Sequence, residues 1–148
     1  MKGAIDNMDS NMILVHVPHA STVISEEDRQ HFLVSDQKLK YEIDVMTDHF
    51  CDDIFSAGTD MLVFPFSRLI CDVERFRDDS QEEMYKQGMG FFYTKCSDGS
   101  ELRKDEGKEQ RYKELILKKY YDKHHSDFEE IVGQKLEKYL HKQIINLQ

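Results

Sequence analysis

The sequence predicts an α/β fold, a mixed sheet flanked by helices. Three observations carry that expectation. Met12–Val17 (MILVHV) is a short apolar, β-branched run closed by Pro18, as in a buried strand of such a sheet. A long amphipathic helical pattern follows it, and further extended apolar segments come next, so strand and helix alternate. The chain of 148 residues is long enough for one domain of ordinary size and too short for two.

Each element has its own local reason. Residues 1–11 are polar and read as a loose arm ahead of a single α/β domain over 12–148. After Pro18 the chain enters a loop, with a helical turn starting at Ser25, which has Asp28 three residues on, as in a capping box. Ser35 is placed as the N-cap of a long helix, with Asp36 in its first turn and Gly58 past its end. Inside it Leu39, Ile43, Met46, Phe50 and Ile54 mark one helical face. Met61–Phe66 and Leu69–Val73 read as extended apolar segments, with Pro65 marking an edge, a bulge or a break. Residues 76–110 are polar, with turn signals at Gly88, Gly90 and Asp98-Gly99, which suits an active-site or binding loop. From about Asp105 a helical stripe runs through Tyr112, Leu115, Tyr120, Phe128, Ile131, Leu136 and Tyr139, divided near Ser126 or Gly133. Ile144–Leu147 reads as the start of a third strand.

Composition narrows the function classes. Residues 103–148 hold 11 Lys+Arg against 9 Asp+Glu, so the net charge of −9 is concentrated in residues 1–102. Such an acidic region repels phosphate backbones and anionic lipid, which argues against nucleic acid or membrane as partners. It reads either as plain solubility or as carboxylates gathered for a cation. No apolar run approaches the ~20 residues of a membrane span, and the first residues lack the apolar stretch of a signal peptide. Cys51, Cys71 and Cys96 are odd in number and widely spaced. They fit a reducing, cytoplasmic setting better than a disulfide frame or a zinc knuckle.

Three segments can carry chemistry. His19, in Pro18-His19-Ala20-Ser21, stands where a strand runs out into a loop, a position from which a neutral imidazole can ligate a metal. His16, inside the strand, reads as a packed residue. Asp44, Asp48 and Asp52 recur at i, i+4 and i+8, with Glu42 and Asp53 nearby. Like charges so spaced oppose one another on a helix by about 0.2–0.5 kcal/mol per pair, so the stack invites a cation unless it is a solvated face. In Ser67-Arg68-Leu69-Ile70-Cys71-Asp72-Val73-Glu74-Arg75, strand alternation puts Arg68, Ile70 and Asp72 on one side. Arg68, Asp72 and Arg75 then form either a fork for a substrate carboxylate or an internal ion pair.

Taken together, PHAS after a strand, Glu42, Asp44, Thr47 and Asp48 on the next helix, and SRLICDVERFRDD resemble the N-formylglutamate amidohydrolases, as does the later Gly88–Thr94 stretch. The resemblance runs from about Met12 to the end of the chain. It implies a hydrolase-like α/β fold (phosphorylase/hydrolase-like, zinc-peptidase-like) related to the zinc carboxypeptidases. It also implies metal-assisted hydrolysis of the amide bond of N-acyl amino acids, N-formylglutamate first. Residue by residue, it implies His19 and Asp44 as metal ligands, with Asp48 or Glu42 as alternatives to Asp44. Arg68 and Arg75 would grip the substrate carboxylate, Asp72 would orient them, and His125 would be a catalytic candidate. Zinc would be the metal, and a small N-acyl amino acid the partner.

The chain also departs from that pattern. Where a family strand of the type I-I-D-x-H-S would bring the third ligand, this sequence has Ile144-Ile145-Asn146-Leu147-Gln148. An amide oxygen is a poor substitute for imidazole at zinc. The expectation is therefore a fold incomplete at its C-terminus, impaired as an enzyme and inclined to self-associate through the unfinished sheet. The alternative is a non-catalytic carboxylate-binding or interaction protein derived from the same fold.

Overall fold

The computed structural model describes residues 13–54, 59–104 and 106–145. The expected loose arm, 1–11, lies outside the described residues. Strand β1, Leu14–Val17, pairs in parallel with β2, Asp60–Val63, in the register Val15 to Met61. One more bond, from Phe64 N to Val17 O at 3.0 Å, carries the pairing to the point where both strands run out. Among the described residues the sheet has these two strands, and the other elements along the chain are helical.

The short helix α1, Glu26–Arg29, begins as its sequence directs: Ser25 Oγ accepts from Asp28 N at 3.1 Å. Helix α2, Asp36–Met46, starts at the N-cap Ser35, whose Oγ accepts from Lys38 N at 3.2 Å. It stops eleven residues later, short of Gly58. Thr47 turns its hydroxyl back onto Ile43 O at 2.6 Å and leaves the helix in an extended conformation. Phe50 then takes a left-handed backbone, φ 67°, before a single 3₁₀ turn at Cys51–Asp53. The apolar face is real through Leu39, Ile43 and Met46, which pack on the core, whereas Phe50 and Ile54 are exposed.

Leu69–Val73 is not a strand. Ile70 N donates to Ser67 O and Arg75 N to Asp72 O, so the segment is two successive turns, and Leu69 through Val73 are all buried. The reason is the carboxylate of Asp72, which collects donors from both sides along the chain. A strand sends neighbouring side chains to opposite faces and could not deliver them.

The loop over 76–104 folds inward, with Phe91, Phe92 and Tyr93 buried and Gly88 turning at φ 76°. Helix α3, Lys108–Ile116, passes through a π-helical turn, Leu117–Asp122, into α4, Lys123–Ile145. The division thus falls earlier than Ser126, and α4 runs on through Gly133, where a lone glycine costs only about 1 kcal/mol. Ile144 and Ile145 belong to α4, so a third strand does not begin at Ile144. Residues 146–148 lie outside the described residues. The widened turn lets Tyr120 and Tyr121 both face inward: Tyr120 OH reaches Asp28, and Tyr121 OH reaches Arg75 O at 2.6 Å. Helix α4 lies against the sheet, joined by a His16–His124 hydrogen bond of 2.8 Å and by ring contacts of His124 with Phe64 and of Phe128 with His16.

Candidate metal and substrate site

The site forms where β1 ends. The chain leaves the strand at Pro18, and His19 is turned inward, 4% exposed. Its carbonyl accepts from Asp48 N at 3.0 Å, which fixes the exit from α2 against the exit from β1. Its Nε2 lies 2.8 Å from Asp72 Oδ1. Had α2 continued to Gly58, Asp48 would stay in the helix and this contact could not form.

Asp72 is fully buried and organises everything around it. Oδ2 accepts from Arg68 Nη2 at 2.6 Å, Arg68 Nε at 3.2 Å and Tyr93 OH at 2.8 Å. Oδ1 accepts from His19 and from Glu74 N at 3.1 Å. Burial by itself would push the Asp72 carboxyl up, but the His19 hydrogen bond and the Arg68 charge prevail and hold it well below its ordinary value. Burial and the Asp72 charge push Tyr93 up to about 12, so its phenol stays protonated and donates.

A carboxylate so placed orients His19: Nε2 carries the proton that Asp72 accepts, so Nδ1 is the nitrogen turned outward from the pair. Nδ1 faces Asp48 Oδ2 at 3.4 Å and Glu74 Oε2 at 3.6 Å. An imidazole nitrogen and two carboxylates meet there, an arrangement suited to a cation. Both carboxylates are more than half exposed at their side chains, so each can rotate about the fixed imidazole.

The arginines stand beside this basin. Arg68 is committed to Asp72. Arg75 is looser: its Nε is 3.5 Å from Asp72 Oδ2 and its Nη1 3.6 Å from Glu82 Oε1. Nε is buried without a hydrogen-bond partner among the described residues. Glu82 itself is tied to the backbone, accepting from Phe76 N and Met84 N. His125 lies nearby, with Nε2 on Val73 O at 2.9 Å and its ring centroid 4.4 Å from that of Tyr121.

The structure does not bring Asp44 to His19. Asp44 is exposed on α2, 3.2 Å from His49 Nε2, and lines a depression of about 640 Å³ with Thr22, Lys40 and Tyr41. Glu42 is buried away from the site, accepting from Ser97 N at 2.7 Å and from Lys38 Nζ at 2.8 Å. With Cys96 and Asp98 it forms the set, among the described residues, whose ligand atoms all fall within 4.8 Å of one another. Lys38 Nζ, 2.8 Å from both Glu42 and Asp98, already supplies that set with its cation. The His19 basin is wider than this, and among the described residues no ammonium is paired with its carboxylates.

Glu74 and Tyr93 were missed by the sequence reading. Glu74 was legible only as a neighbour of Asp72, since its approach to His19 depends on a turn where a strand was expected. Tyr93, at the end of the Gly-rich loop, carried no signal of its own.

The model of the N-formylglutamate amidohydrolase family matches residues 11–148. No curated protein and no solved structure matches the chain.

Proposed function

Because this chain belongs to the N-formylglutamate amidohydrolase family, we propose that it hydrolyses the amide bond of N-acyl amino acids, N-formylglutamate foremost, with a divalent metal held by His19 and Asp48. The observation that supports this reading is Nδ1 of His19 facing carboxylates while Asp72 holds the other nitrogen. Metal-binding histidines are commonly oriented in this way by a carboxylate behind them. Zinc bound there supplies a Lewis acid for the acyl carbonyl and acidifies water.

The chain's own residues do the rest. Arg75, with an unused buried Nε–H, takes the substrate carboxylate beside Arg68, and Asp72 orients Arg68 by its bidentate hydrogen bonds. A carboxylate of the basin accepts the proton of the attacking water. The water oxygen joins the acyl carbon, the carbon–nitrogen bond breaks, and the amine leaves with a proton. His125 and Tyr121 act through the backbone, holding Val73 O and Arg75 O so that the turn bearing Asp72 and Arg75 keeps its shape. The free thiols of Cys51, Cys71 and Cys96 suit a cytoplasmic setting. None of the described helices is long and apolar enough to cross a membrane. In fold, this reading relates the two-stranded core to the zinc carboxypeptidases, and the open edges of the sheet favour self-association.

The test is release of free glutamate from N-formylglutamate by zinc-loaded and metal-free protein. Hydrolysis should require zinc and fall by about 10²-fold or more in His19→Ala. Arg75→Ala should raise KM more than it lowers kcat. Equal rates with and without metal, or an unaffected His19→Ala, would overturn the reading. Saturable binding of N-formylglutamate without turnover would favour a carboxylate-binding protein, which the unpartnered Arg75 Nε also supports.

A further inference from the structure

We propose that Tyr93 is a positioning residue that keeps Arg75 available to a substrate carboxylate, because its hydroxyl fills the place on Asp72 that Arg75 would otherwise take. This rests on the reading of Arg75 given above and adds the residue that makes the two arginines differ.

Asp72 has a finite capacity. A carboxylate offers about four lone-pair sites on its two oxygens. Oδ1 is taken by His19 Nε2 and Glu74 N. Oδ2 accepts from Arg68 Nη2 at 2.6 Å, from Arg68 Nε at 3.2 Å and from Tyr93 OH at 2.8 Å. Every site is in use. Arg75 Nε stands next to the same Oδ2 at 3.5 Å, close enough for an ion pair but without a hydrogen bond.

Reach does not explain the gap. Arg75 N donates to Asp72 O, so both side chains leave one short turn of backbone. A closure of about 0.7 Å would bring Nε into the 2.7–2.9 Å range of a charge-assisted hydrogen bond. Tyr93 blocks that closure because it cannot withdraw. Its side chain is fully buried behind the buried Phe91 and Phe92, and the Arg68 guanidinium lies 5.8 Å from its ring centroid. Turning the hydroxyl off Asp72 would leave a buried donor without a partner. On the other side of Arg75, Glu82 Oε1 lies 3.6 Å from Nη1 and is held by Met84 N, while Oε2 is held by Phe76 N.

Tyr93 thus divides the arginines between two tasks. Arg68 is spent on Asp72 as an internal pair. Arg75 keeps a buried Nε–H that is bonded to nothing among the described residues. Such a donor has already lost its water, so an incoming carboxylate gains the bond without displacing an internal partner.

The experiment joins the arginine Nε–H resonances of the protein without substrate to KM and kcat of the zinc-loaded protein for N-formylglutamate. It compares wild type, Tyr93→Phe, Arg75→Ala and the double variant. In wild type the Arg68 resonance should show the downfield shift of a carboxylate-bonded donor, and the Arg75 resonance should not. Tyr93→Phe keeps the ring and removes the hydroxyl, so the Arg75 resonance should move downfield towards that of Arg68. The same variant should raise KM about tenfold or more, a larger effect than on kcat, and should add nothing in an Arg75→Ala background. Effects that add to Arg75→Ala, with the Arg75 resonance unmoved, would reduce Tyr93 to a packing role and overturn the assignment. An Arg75 Nε–H already shifted in wild type would overturn it too, and that measurement needs no variant to fold. Unchanged KM in Tyr93→Phe beside a defective Arg75→Ala would remove Tyr93 and leave Arg75 as the substrate arginine. If wild type does not turn over N-formylglutamate, the substrate reading falls, and the Arg75 resonance alone decides whether Tyr93 holds this arginine off Asp72.

Discussion

At the scale of single residues, the molecule turns on Asp72. It is a buried charge made tolerable by an arginine, a tyrosine, an imidazole and a backbone amide, and removing one partner of such a group is far costlier than the pair's net value. Asp72→Asn keeps the volume but cannot accept from all of these donors, and it leaves the Arg68 guanidinium without its counter-charge. We expect a loss of about 3–5 kcal/mol in urea-induced unfolding, against under 1 kcal/mol for an exposed control such as Asp36→Asn. A loss of similar size in both would mean that Asp72 is merely another surface-like ion pair. This residue was legible in the sequence as a charge inside an apolar run, and of the two readings left open there the internal ion pair, with Arg68, is the one present. His19 was legible because Pro-His follows a strand. Glu74 was not, because its position depends on a turn that no local propensity announces.

At the scale of elements, the sequence marked beginnings better than ends. Ser25 and Ser35 cap helices because a hydroxyl can take an orphan amide at the first turn wherever it occurs. The end of α2 was hidden because Phe50 and Ile54 continue the apolar spacing beyond the point where Thr47 and the left-handed Phe50 break the backbone. The π turn between α3 and α4 was equally hidden, since it shifts the register of a helix without changing its composition. The contact between β1 and α4 carries a pH prediction. His16 and His124 share one proton across 2.8 Å, which requires at least one neutral ring. Burial, then the neighbouring His16 and His125, push His124 down to about 4. The unfolded chain takes up its proton near 6.5, so between about 6.5 and 4 the unfolded state binds more protons and stability falls as pH falls. Below about 4 this group contributes no further change. The total is at most about 3 kcal/mol. His124→Phe should flatten that slope, measured as denaturation midpoints at pH 7.5 and 5. An unchanged slope would assign the dependence elsewhere; Asp72, with its lowered carboxyl, acts at more acidic pH.

At the scale of the whole molecule, the two-stranded sheet is too small to form a core alone, and the interior is completed by segments without regular structure. Arg103 connects them. Its guanidinium lies between Phe32 and Phe92, 4.3 Å from each ring centroid, and its Nη2 donates to Leu69 O in the turn that leads to Asp72. Nε and Nη1 have no partner among the described residues, and burial lowers this arginine to about 10, still well above neutral pH. The charge is thus held by π faces and one carbonyl instead of a carboxylate. This arrangement separates the value of the shape from the value of the charge. Arg103→Ala removes both, leaving a cavity between the rings and an unsatisfied Leu69 carbonyl, with an expected cost of about 3–5 kcal/mol. Arg103→Met fills most of the gap without burying an under-bonded guanidinium, so its cost should be about 1–3 kcal/mol, the penalty of the orphaned carbonyl. Equilibrium unfolding of the two variants gives the difference directly. If Met proves as damaging as Ala, the charge itself holds the interior together, through the rings and through Leu69, and the turn carrying Arg68 and Asp72 depends on it.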